Sequence, residues 1–497
     1  MLDRLDHALR SRPERAAVLT ATRTGAPRVR ATRGELAELS DAFAAALHAR
    51  GLRAGDTVGV AVRPGPRALA VLLALWRLGL RGAVLDPGAG PDVLRARLAL
   101  ARPSLVLADA AAQAVAGWAR PLARRARLAL PDLAELGPVA TVGPRLPGCA
   151  PALDLGAPRL GVPGHRDVDG TVDGDADAVI VFTSGTTSLP RAVVHTRASL
   201  SAGMATVSSL FDAHGDRPVL GGTFFVLVPS LTRGAPVALP AGNPRVLARQ
   251  LGRLRPQDTY LTPPRLRDAL GAGARFHGRV WTGSAPAGAG LLERVREAGA
   301  AEAWGVYALT ELFPAAAVEA REKAAFEEAG DLVGAPLPGV LAKPDEDGQL
   351  LLSGPAARHR YLGEEPDPWV RTGDRARLDG AGRIVLEGRS KDMVLRRAEN
   401  IYPGLYEPAL HVPGVELAVL VGIPAGDGDE RLVAVVQPRR GADEHALRAA
   451  LDEPVRRMGT ARPDALLLAR IPLSGRSRKP DRAATAALAA RRLGPPE

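Results

Sequence analysis

The sequence predicts an α/β fold, in which a large N-terminal domain of layered α/β subdomains with a β-rich subdomain precedes a small α+β C-terminal domain. Through residues 1–150, and again from Ala178 past residue 300, helix-like segments alternate with short apolar runs, which is typical of parallel strands joined by helices. From Gly348 to Gly388 the pattern changes to short strands separated by turns. After Gly388 a smaller unit begins.

The expected elements follow in chain order. In the first part we expect helices over Thr32–Arg50 and Ala68–Leu78, and strands over Thr57–Val62, Ala83–Leu85 and Leu105–Leu107. The segment from Gly143 to Gly174 is rich in Pro and Gly and predicts a connection. The β-rich part should hold strands over Gln349–Leu352, Ala376–Leu378 and Ile384–Glu387. Beyond it we expect a helix over Leu405–His411, strands over Leu417–Ile423 and Leu432–Gln437, and a helix over Glu444–Asp452.

Composition narrows the class of protein. The chain has 497 residues, enough for more than one domain. Its single cysteine, Cys149, excludes an internal disulfide and a cysteine metal cluster and fits a reducing cytoplasm. The N-terminus lacks the apolar segment of a secretory signal, and the longest apolar stretch, Ala68–Trp76, is too short to span a bilayer. We therefore expect a cytoplasmic protein without a membrane span.

The net charge of +11 raises the question of nucleic-acid binding. The positive charge is spread along the chain, no basic cluster is interleaved with aromatic residues, and aromatic residues make up only 4% of the chain. This pattern favours a solvated basic surface over a nucleic-acid partner.

A loop of small hydroxyl residues follows one of the apolar runs. The run from Ala178 to Phe182 predicts a buried strand. The residues that come directly after it are Thr183, Ser184, Gly185, Thr186 and Thr187. Pro190 keeps the loop from continuing as a helix, and Arg191 adds a permanent positive charge. Backbone amides, hydroxyls and a cation at one turn favour a polyphosphate ligand, although the run is not a Walker A sequence and a plain surface turn is the alternative.

The run Phe182-Thr-Ser-Gly-Thr-Thr-x-x-Pro-Arg191 resembles the phosphate loop of the adenylate-forming superfamily, which comprises acyl-CoA synthetases, luciferases and the adenylation domains of peptide synthetases. That family usually has Gly, Lys and Gly where this chain has Ser188, Arg191 and Ala192. Arg keeps the charge but is bulkier and planar. The resemblance implies that the loop holds the pyrophosphate of ATP.

Two motifs resemble the adenine and metal sites of that family. Trp304-Gly-Val-Tyr-Ala-Leu-Thr-Glu311 is similar to Tyr-Gly-x-Thr-Glu, which implies that Tyr307 lies against adenine, Thr310 near the phosphates, and Glu311 on Mg²⁺. A carboxylate with phosphate oxygens is the ligand set that Mg²⁺ prefers. The turn beside the adenine is implied for Gly283, Ser284 and Ala285, which precede Pro286.

Three motifs follow in the family's order. Asp374, in Arg371-Thr-Gly-Asp374, is implied to accept the ribose hydroxyls, as a carboxylate can. In Gly388-Arg-Ser-Lys-Asp392 the match implies that Arg389 reaches the ribose or α-phosphate and that Lys391 is the pivot of a hinge. Glu399-Asn-Ile-Tyr-Pro403 resembles the loop that the small domain presents in the second half-reaction. The implied organisation is an adenylation core over 1–388, a hinge over 389–391 and a small mobile domain over 392–497.

The C-terminal run Ile471–Arg482 resembles the motif that carries the family's catalytic lysine, and Lys479 falls on that position. A solvated basic tail is the alternative. Only four of the 65 basic residues are lysines, and two of these four, Lys391 and Lys479, fall on functional positions of the family. This census favours a functional Lys479.

The resemblance implies a reaction in two steps. A carboxylic acid attacks MgATP to give acyl-AMP and pyrophosphate, and an acceptor then takes the acyl group. CoA is the acceptor we expect first. Capture by another nucleophile stays open, including an internal hydroxyl as in the olefin-pathway β-lactone synthetases. Arg396-Arg397-Ala398, Val226 in place of a family His, and Asp86-Pro-Gly-Ala-Gly90 motivate that alternative.

A third alternative is a degenerate adenylate-binding protein without turnover. The departures from the family pattern at Ser188, Arg191, Ala192 and Ala308 motivate it. The acid and the oligomeric state cannot be read from the sequence. We expect the acid to lie near Phe224–Leu227 and Trp304–Val306.

Overall fold

Two large sheets with helices packed against them are built mainly from the first 320 residues, and three smaller sheets and a two-stranded hairpin follow. This architecture is that of a computed structural model, which describes residues 1–85, 91–110, 113, 137–156, 174–183, 191–396, 399–426, 429–475 and 478–494.

The elements of the N-terminal part are, in chain order, α1 (Leu2–Ser11), β1 (Ala16–Ala21), β2 (Pro27–Thr32), α2 (Arg33–Ala49), β3 (Thr57–Ala61), α3 (Pro66–Arg77), β4 (Arg81–Val84), α4 (Pro91–Ala101), β5 (Leu105–Asp109), β6 (Val139–Val142), β7 (Asp177–Phe182), β8 (Ala192–Thr196), α5 (Arg197–Phe211), β9 (Val219–Leu220), α6 (Phe224–Thr232), β10 (Val237–Ala238) and α7 (Pro244–Leu254).

The remaining elements are β11 (Asp258–Tyr260), α8 (Pro263–Gly271), β12 (Arg279–Thr282), α9 (Ala289–Glu297), β13 (Glu302–Tyr307), β14 (Ala316–Glu319), α10 (Ala320–Ala324), β15 (Asp331–Gly334), β16 (Leu341–Pro344), β17 (Gln349–Ser353), β18 (Arg360–Tyr361), β19 (Val370–Leu378), β20 (Ile384–Arg389), β21 (Val394–Arg396), β22 (Glu399–Ile401), β23 (Val415–Gly426), β24 (Asp429–Pro438), α11 (Glu444–Arg456), β25 (Ala465–Leu468), β26 (Leu473–Ser474), β27 (Lys479–Pro480) and α12 (Arg482–Leu493).

Both large sheets have a parallel centre; the first is antiparallel at one edge only, through β8 and β18, and the second at both edges. One has the strand order β18-β8-β7-β4-β3-β5-β6, with β3 to β7 parallel. The other has the order β14-β13-β12-β11-β9-β10-β1-β2, with β2 and β14 antiparallel to their neighbours. The predicted α/β class is confirmed, because the alternating apolar runs form parallel strands and the segments between them form helices.

The largest apolar core joins the two sheets through helices α2 and α3. Leu36 and Phe43 of α2 pack with Leu69 of α3, with Val58 of one sheet and with Val18 of the other. Helix α2 begins where the sequence indicates, because Thr32 and Glu35 form a reciprocal capping box at its N-terminus. The structure confirms the helices predicted over Thr32–Arg50 and Ala68–Leu78. It also confirms the three strands predicted in this part, which are β3, β4 and β5. Their ends shift by one or two residues.

An antiparallel sheet in the order β15-β20-β19-β17-β16 forms the β-rich part. The short strands predicted from Gly348 to Gly388 are confirmed, and β19 and β20 run further than expected. Their register places Asp374 directly opposite Arg389.

The C-terminal unit is α+β, as predicted. Strands β23, β24 and β25 form its sheet, with α11 packed on one face and α12 on the other. The helical segment expected near Leu405–His411 is 3-10 in type rather than an α-helix. Two short 3-10 helices, Pro403–Leu405 and Glu407–Leu410, lie just before and within that segment. Pro408, inside the segment, lacks the amide hydrogen that a regular α-helix uses.

Among the described residues, no helix combines the length and the apolar character that crossing a membrane requires.

Candidate active site

The ends of the hydroxyl-rich loop are joined by a hairpin. Strands β7 and β8 are antiparallel, with Phe182 opposite Ala192, and the amide of Thr183 donates to the carbonyl of Arg191 at 3.0 Å. The predicted phosphate-binding residues between them, Ser184, Gly185, Thr186 and Thr187, lie outside the described residues, as do Ser188 and Pro190. The hairpin thus brings Thr183 and Arg191 to the two ends of one loop.

Arg191 lies over an aromatic ring that the sequence analysis did not single out. Its guanidinium carbon is 3.6 Å from the ring centroid of Tyr361, and it also contacts Glu364 at 3.3 Å. The hydroxyl of Tyr361 donates to Oε1 of Glu311 at 3.0 Å. Burial, followed by the charge of Glu311, raises the pKa of Tyr361. Tyr361 therefore joins two predicted site residues, Arg191 and Glu311, through its ring face and its hydroxyl.

A buried histidine holds the backbone beside Glu311. Nε2 of His195 is 2.8 Å from the carbonyl of Thr310, and Nδ1 is 3.2 Å from the hydroxyl of Ser199. A carbonyl only accepts, so Nε2 carries the proton and Nδ1 accepts from Ser199. Burial lowers the pKa of His195. The sequence offered no signal for this contact, because His195 reads as one more residue of an apolar strand.

Asp374 is the centre of a second network. The hydroxyl of Tyr307 donates to one of its oxygens at 2.6 Å, and Nε of Arg389 donates to the other at 2.7 Å. Asp374 is only 5% exposed. Burial, and then the charge of Asp374, raises the pKa of Tyr307 well above its usual value. The three residues were predicted separately as contacts of one nucleotide, and the structure brings them together.

The turn after β12 lies against β13. Thr282 is paired with Gly305, so that a Cβ at Gly283 would lie 2.9 Å from the carbonyl of Val306 and only glycine fits. Ser284 has a φ of +69°, and its hydroxyl is 3.1 Å from that of Tyr260. The predicted turn Gly283–Ala285 is thereby placed beside the end of the strand that carries Tyr307.

Lys479 lies near the Asp374 network although it belongs to the C-terminal unit. Its side chain is exposed. Nevertheless, desolvation by surrounding protein and then the charge of Arg389 lower the pKa of Lys479, while the charge of Asp374 raises it. The preceding residue, Arg478, has a φ of +50° and donates to Asp268 of α8 at 2.8 Å. The C-terminal motif is thus held against the large N-terminal part.

The segment between the two parts is short and closely packed. Lys391, the predicted pivot, lies in a 3-10 helix over Ser390–Asp392. A Cβ at Gly404 would lie 2.5 Å from the Cα of Gly388, so the backbone crosses itself closely beside this helix. Asp392 contacts Arg482 at 3.0 Å.

Residues expected near the acceptor and the acid divide between buried and partly exposed positions. Arg396 is buried, donating to the carbonyl of Thr460 at 2.6 Å and pairing with Asp464; Arg397, Ala398 and Asp86–Gly90 lie outside the described residues. Val226 and Leu227 are buried in the core. Trp304 remains half-buried and stacks on Trp281 at 5.3 Å between ring centroids.

The carboxylate of Glu311 fits a magnesium ion whose other ligands come from a nucleotide and water. In the described part of the chain, no group of three or more His, Cys, Asp or Glu side chains could enclose a metal. Glu311 uses Oε1 for Tyr361, and its Oε2 has no hydrogen bond among the described residues. One free carboxylate oxygen suits Mg²⁺, which usually keeps phosphate oxygens and waters as its other ligands.

Comparison with known proteins gives a consistent result. A family model described as AMP-binding enzyme matches residues 5–362. A feruloyl-CoA synthase of an Amycolatopsis species is 28% identical over 456 residues, covering 85% of this chain and 86% of the relative. An olefin β-lactone synthetase of Stenotrophomonas maltophilia is 28% identical over 522 residues, covering 90% of each.

A solved structure of an o-succinylbenzoate CoA synthetase from Bacillus subtilis, in complex with ATP and a magnesium ion, has the same fold. It superposes with a TM-score of 0.72 at 19% identity, covering 97% of this chain and 98% of that one.

Proposed function

The chain belongs to the AMP-binding enzyme family and is an adenylate-forming ligase, and from this premise we propose that it activates a small carboxylic acid with ATP and transfers the acyl group to CoA. We assign adenylation to residues 1–388, a hinge to 389–391 and a small mobile domain to 392–497. The reducing cytoplasm is the proposed compartment, since the only cysteine, Cys149, is free and buried.

The observation that carries the proposal is the Tyr307–Asp374–Arg389 network with Lys479 beside it. In the first step a carboxylate oxygen bonds to the α-phosphorus of ATP. The bond from that phosphorus to the bridging oxygen breaks, and pyrophosphate leaves with the electron pair. Asp374 accepts the ribose hydroxyls through its remaining lone pairs, and Lys479 pairs with the two anionic reactants.

Other residues bind the polyphosphate and its metal in this proposal. Thr183, Arg191 and the loop between them hold the departing pyrophosphate, and Thr310 lies near the phosphates. Glu311 is the protein ligand of Mg²⁺, which supplies charge neutralisation when bound. Gly283, Ser284 and Ala285 form the turn beside the adenine, against which Tyr307 also lies.

CoA is proposed as the acceptor because a feruloyl-CoA synthase aligns with most of the chain. The thiol sulfur would bond to the acyl carbon, the carbon–oxygen bond to AMP would break, and the thiol proton would pass to solvent.

An internal hydroxyl of the acid is the second candidate acceptor. A β-lactone synthetase aligns over an equally large share of the chain. In addition, Val226 stands where the resembling family has His, and it is 2% exposed and packed in the core, so this position offers no polar group to an acceptor.

The first experiment is ATP–[³²P]pyrophosphate exchange across a panel of carboxylic acids. We expect exchange with at least one acid. The absence of exchange with every acid would contradict adenylation and favour a binding protein without turnover.

Mass spectrometry of reactions with and without CoA tests the acceptor. An acyl-CoA product that requires CoA is expected. A product that forms equally without CoA, at the mass of the acid minus water, would reject CoA ligation and support lactone formation.

A further inference from the structure

The C-terminal unit is tied to the large N-terminal part by two groups of ion pairs. Glu416, at the start of β23, contacts Arg267 of α8 at 3.3 Å and Arg294 of α9 at 3.4 Å. These three residues are called the Glu416 cluster here. Asp268, adjacent to Arg267, binds Arg478 at 2.8 Å. Two adjacent residues of α8, Arg267 and Asp268, therefore contact the C-terminal unit.

The Glu416 cluster is shielded from water. The side chains of Arg267 and Glu416 are only 14% and 18% exposed, and that of Arg294 is 23% exposed. Burial lowers the pKa of Arg267, and Glu416 partly offsets this effect. Shielded charges attract each other more strongly than charges in open water. Removing the carboxylate of Glu416 would leave the arginine charges partly buried and unpaired, which costs free energy.

The second contact acts at the residue next to Lys479. Arg478 adopts a left-handed backbone conformation, with a φ of +50°, between β26 and β27. Its ion pair with Asp268, between side chains that are 47% and 32% exposed, is outside the nucleotide network and joins α8 to the residue directly before Lys479. Lys479 itself has no carboxylate within ion-pair distance among the described residues, so its place depends on the backbone that carries it.

We propose that Glu416, with Arg267 and Arg294, and the Asp268–Arg478 pair are positioning residues that hold Lys479 beside the Asp374–Arg389 network for adenylation. This inference rests on the proposed role of Lys479. None of these side chains contacts Tyr307 or Asp374, so their loss should leave ATP binding by the large domain intact and reduce the rate of the first chemical step.

The test compares the two half-reactions in Glu416→Gln, Asp268→Asn and the double variant. Pyrophosphate exchange, with the acid that gives the highest rate in the panel, should fall about 5- to 20-fold in kcat in each single variant. KM for ATP should change less than twofold. Transfer from synthetic acyl-AMP, which needs no attack on the α-phosphorus, should keep its rate within twofold.

Glu453→Gln is the matched control, because in the described part of the chain Glu453 pairs only with Arg456 of its own helix α11 and with Arg457 directly after it. It should leave both half-reactions unchanged. The exchanged pair Asp268→Arg with Arg478→Asp should recover at least half of the exchange rate lost in Asp268→Arg. If Glu416→Gln does not fold, as judged by its melting temperature, Glu416→Asp replaces it.

Equal loss in both half-reactions would overturn the proposal and indicate a general structural role, and so would unchanged exchange in the double variant. A wild-type protein that exchanges with no acid would instead overturn the proposed function.

Discussion

Tyr361 shows how a single side chain can organise two charged groups. Its ring lies under the guanidinium of Arg191 and its hydroxyl binds Glu311. A planar guanidinium stacks on an aromatic face better than an ammonium does, which gives a physical reason for Arg at a position where the resembling family usually has Lys.

Removing the hydroxyl of Tyr361 should raise the concentration of Mg²⁺ that the exchange reaction requires. In Tyr361→Phe the ring still stacks on Arg191, but Glu311 loses the hydrogen bond that orients its carboxylate. We expect the Mg²⁺ concentration for half-maximal exchange to rise roughly 3- to 10-fold, which corresponds to the loss of one hydrogen bond of about 0.7–1.4 kcal/mol. A titration of exchange against Mg²⁺ measures it.

Tyr406→Phe is the control. The side chain of Tyr406 packs against the C-terminal core, and its hydroxyl has no hydrogen bond in the described part of the chain. An unaltered Mg²⁺ dependence in Tyr361→Phe would argue against this role of the tyrosine.

Lys479 is the residue on which the proposed first step depends. Lys479→Ala removes the ammonium that, in the proposal, pairs the acid with the α-phosphate. We expect kcat for exchange to fall by at least about 10²–10³-fold, while transfer from synthetic acyl-AMP is retained. Lys343→Ala, an exposed lysine over the ring of Trp369, should leave exchange intact. Full ATP-dependent activity in Lys479→Ala would refute the assignment.

At the scale of elements, His195 connects strand β8 to the loop after β13. It is buried and its pKa is lowered, so the unfolded chain takes up a proton on this side chain more readily than the folded one. Stability should therefore fall as pH decreases through the ordinary histidine range and below it. Surrounding protein also lowers the pKa of the partly buried His411, which adds to this effect.

His195→Gln should reduce the acid sensitivity without abolishing it. Between about pH 7.5 and 5.5 we expect the variant to lose roughly 1–3 °C less in melting temperature than the wild type. Thermal denaturation at a series of pH values measures this difference. His7→Gln, at an exposed position on α1, should keep the wild-type dependence; an identical dependence in His195→Gln would contradict the argument.

Elements were predictable where local chemistry decides them. The capping box at Thr32 and Glu35 marks the start of α2 in the sequence itself. The helical segment expected near Leu405–His411 is instead part of two short 3-10 helices, and Pro408 within it lacks the amide hydrogen of a regular α-helix. The contact between Asp374 and Arg389 could not be read from their spacing, because it depends on the register of β19 and β20.

For the molecule as a whole, the positive charge is distributed and partly neutralised. Asp177 forms ion pairs with Arg81 and Arg360, and Asp41 forms ion pairs with Arg10 and Arg77. We expect no binding to duplex DNA or RNA below micromolar concentration at about 150 mM salt. Fluorescence anisotropy with labelled duplexes measures it, and a salt-dependent complex of higher affinity would contradict this prediction.

The hydroxyl-rich loop, the order of the motifs and the family could be determined from sequence, because each depends on residues adjacent in the chain and on their chemistry. Tertiary structure alone showed that Tyr361 joins Arg191 to Glu311, that His195 holds Thr310, and that Glu416 contacts two arginines of the large N-terminal part. These pairs are far apart in sequence. Their distances are decided by strand register and by packing between elements, which no local pattern of residues records.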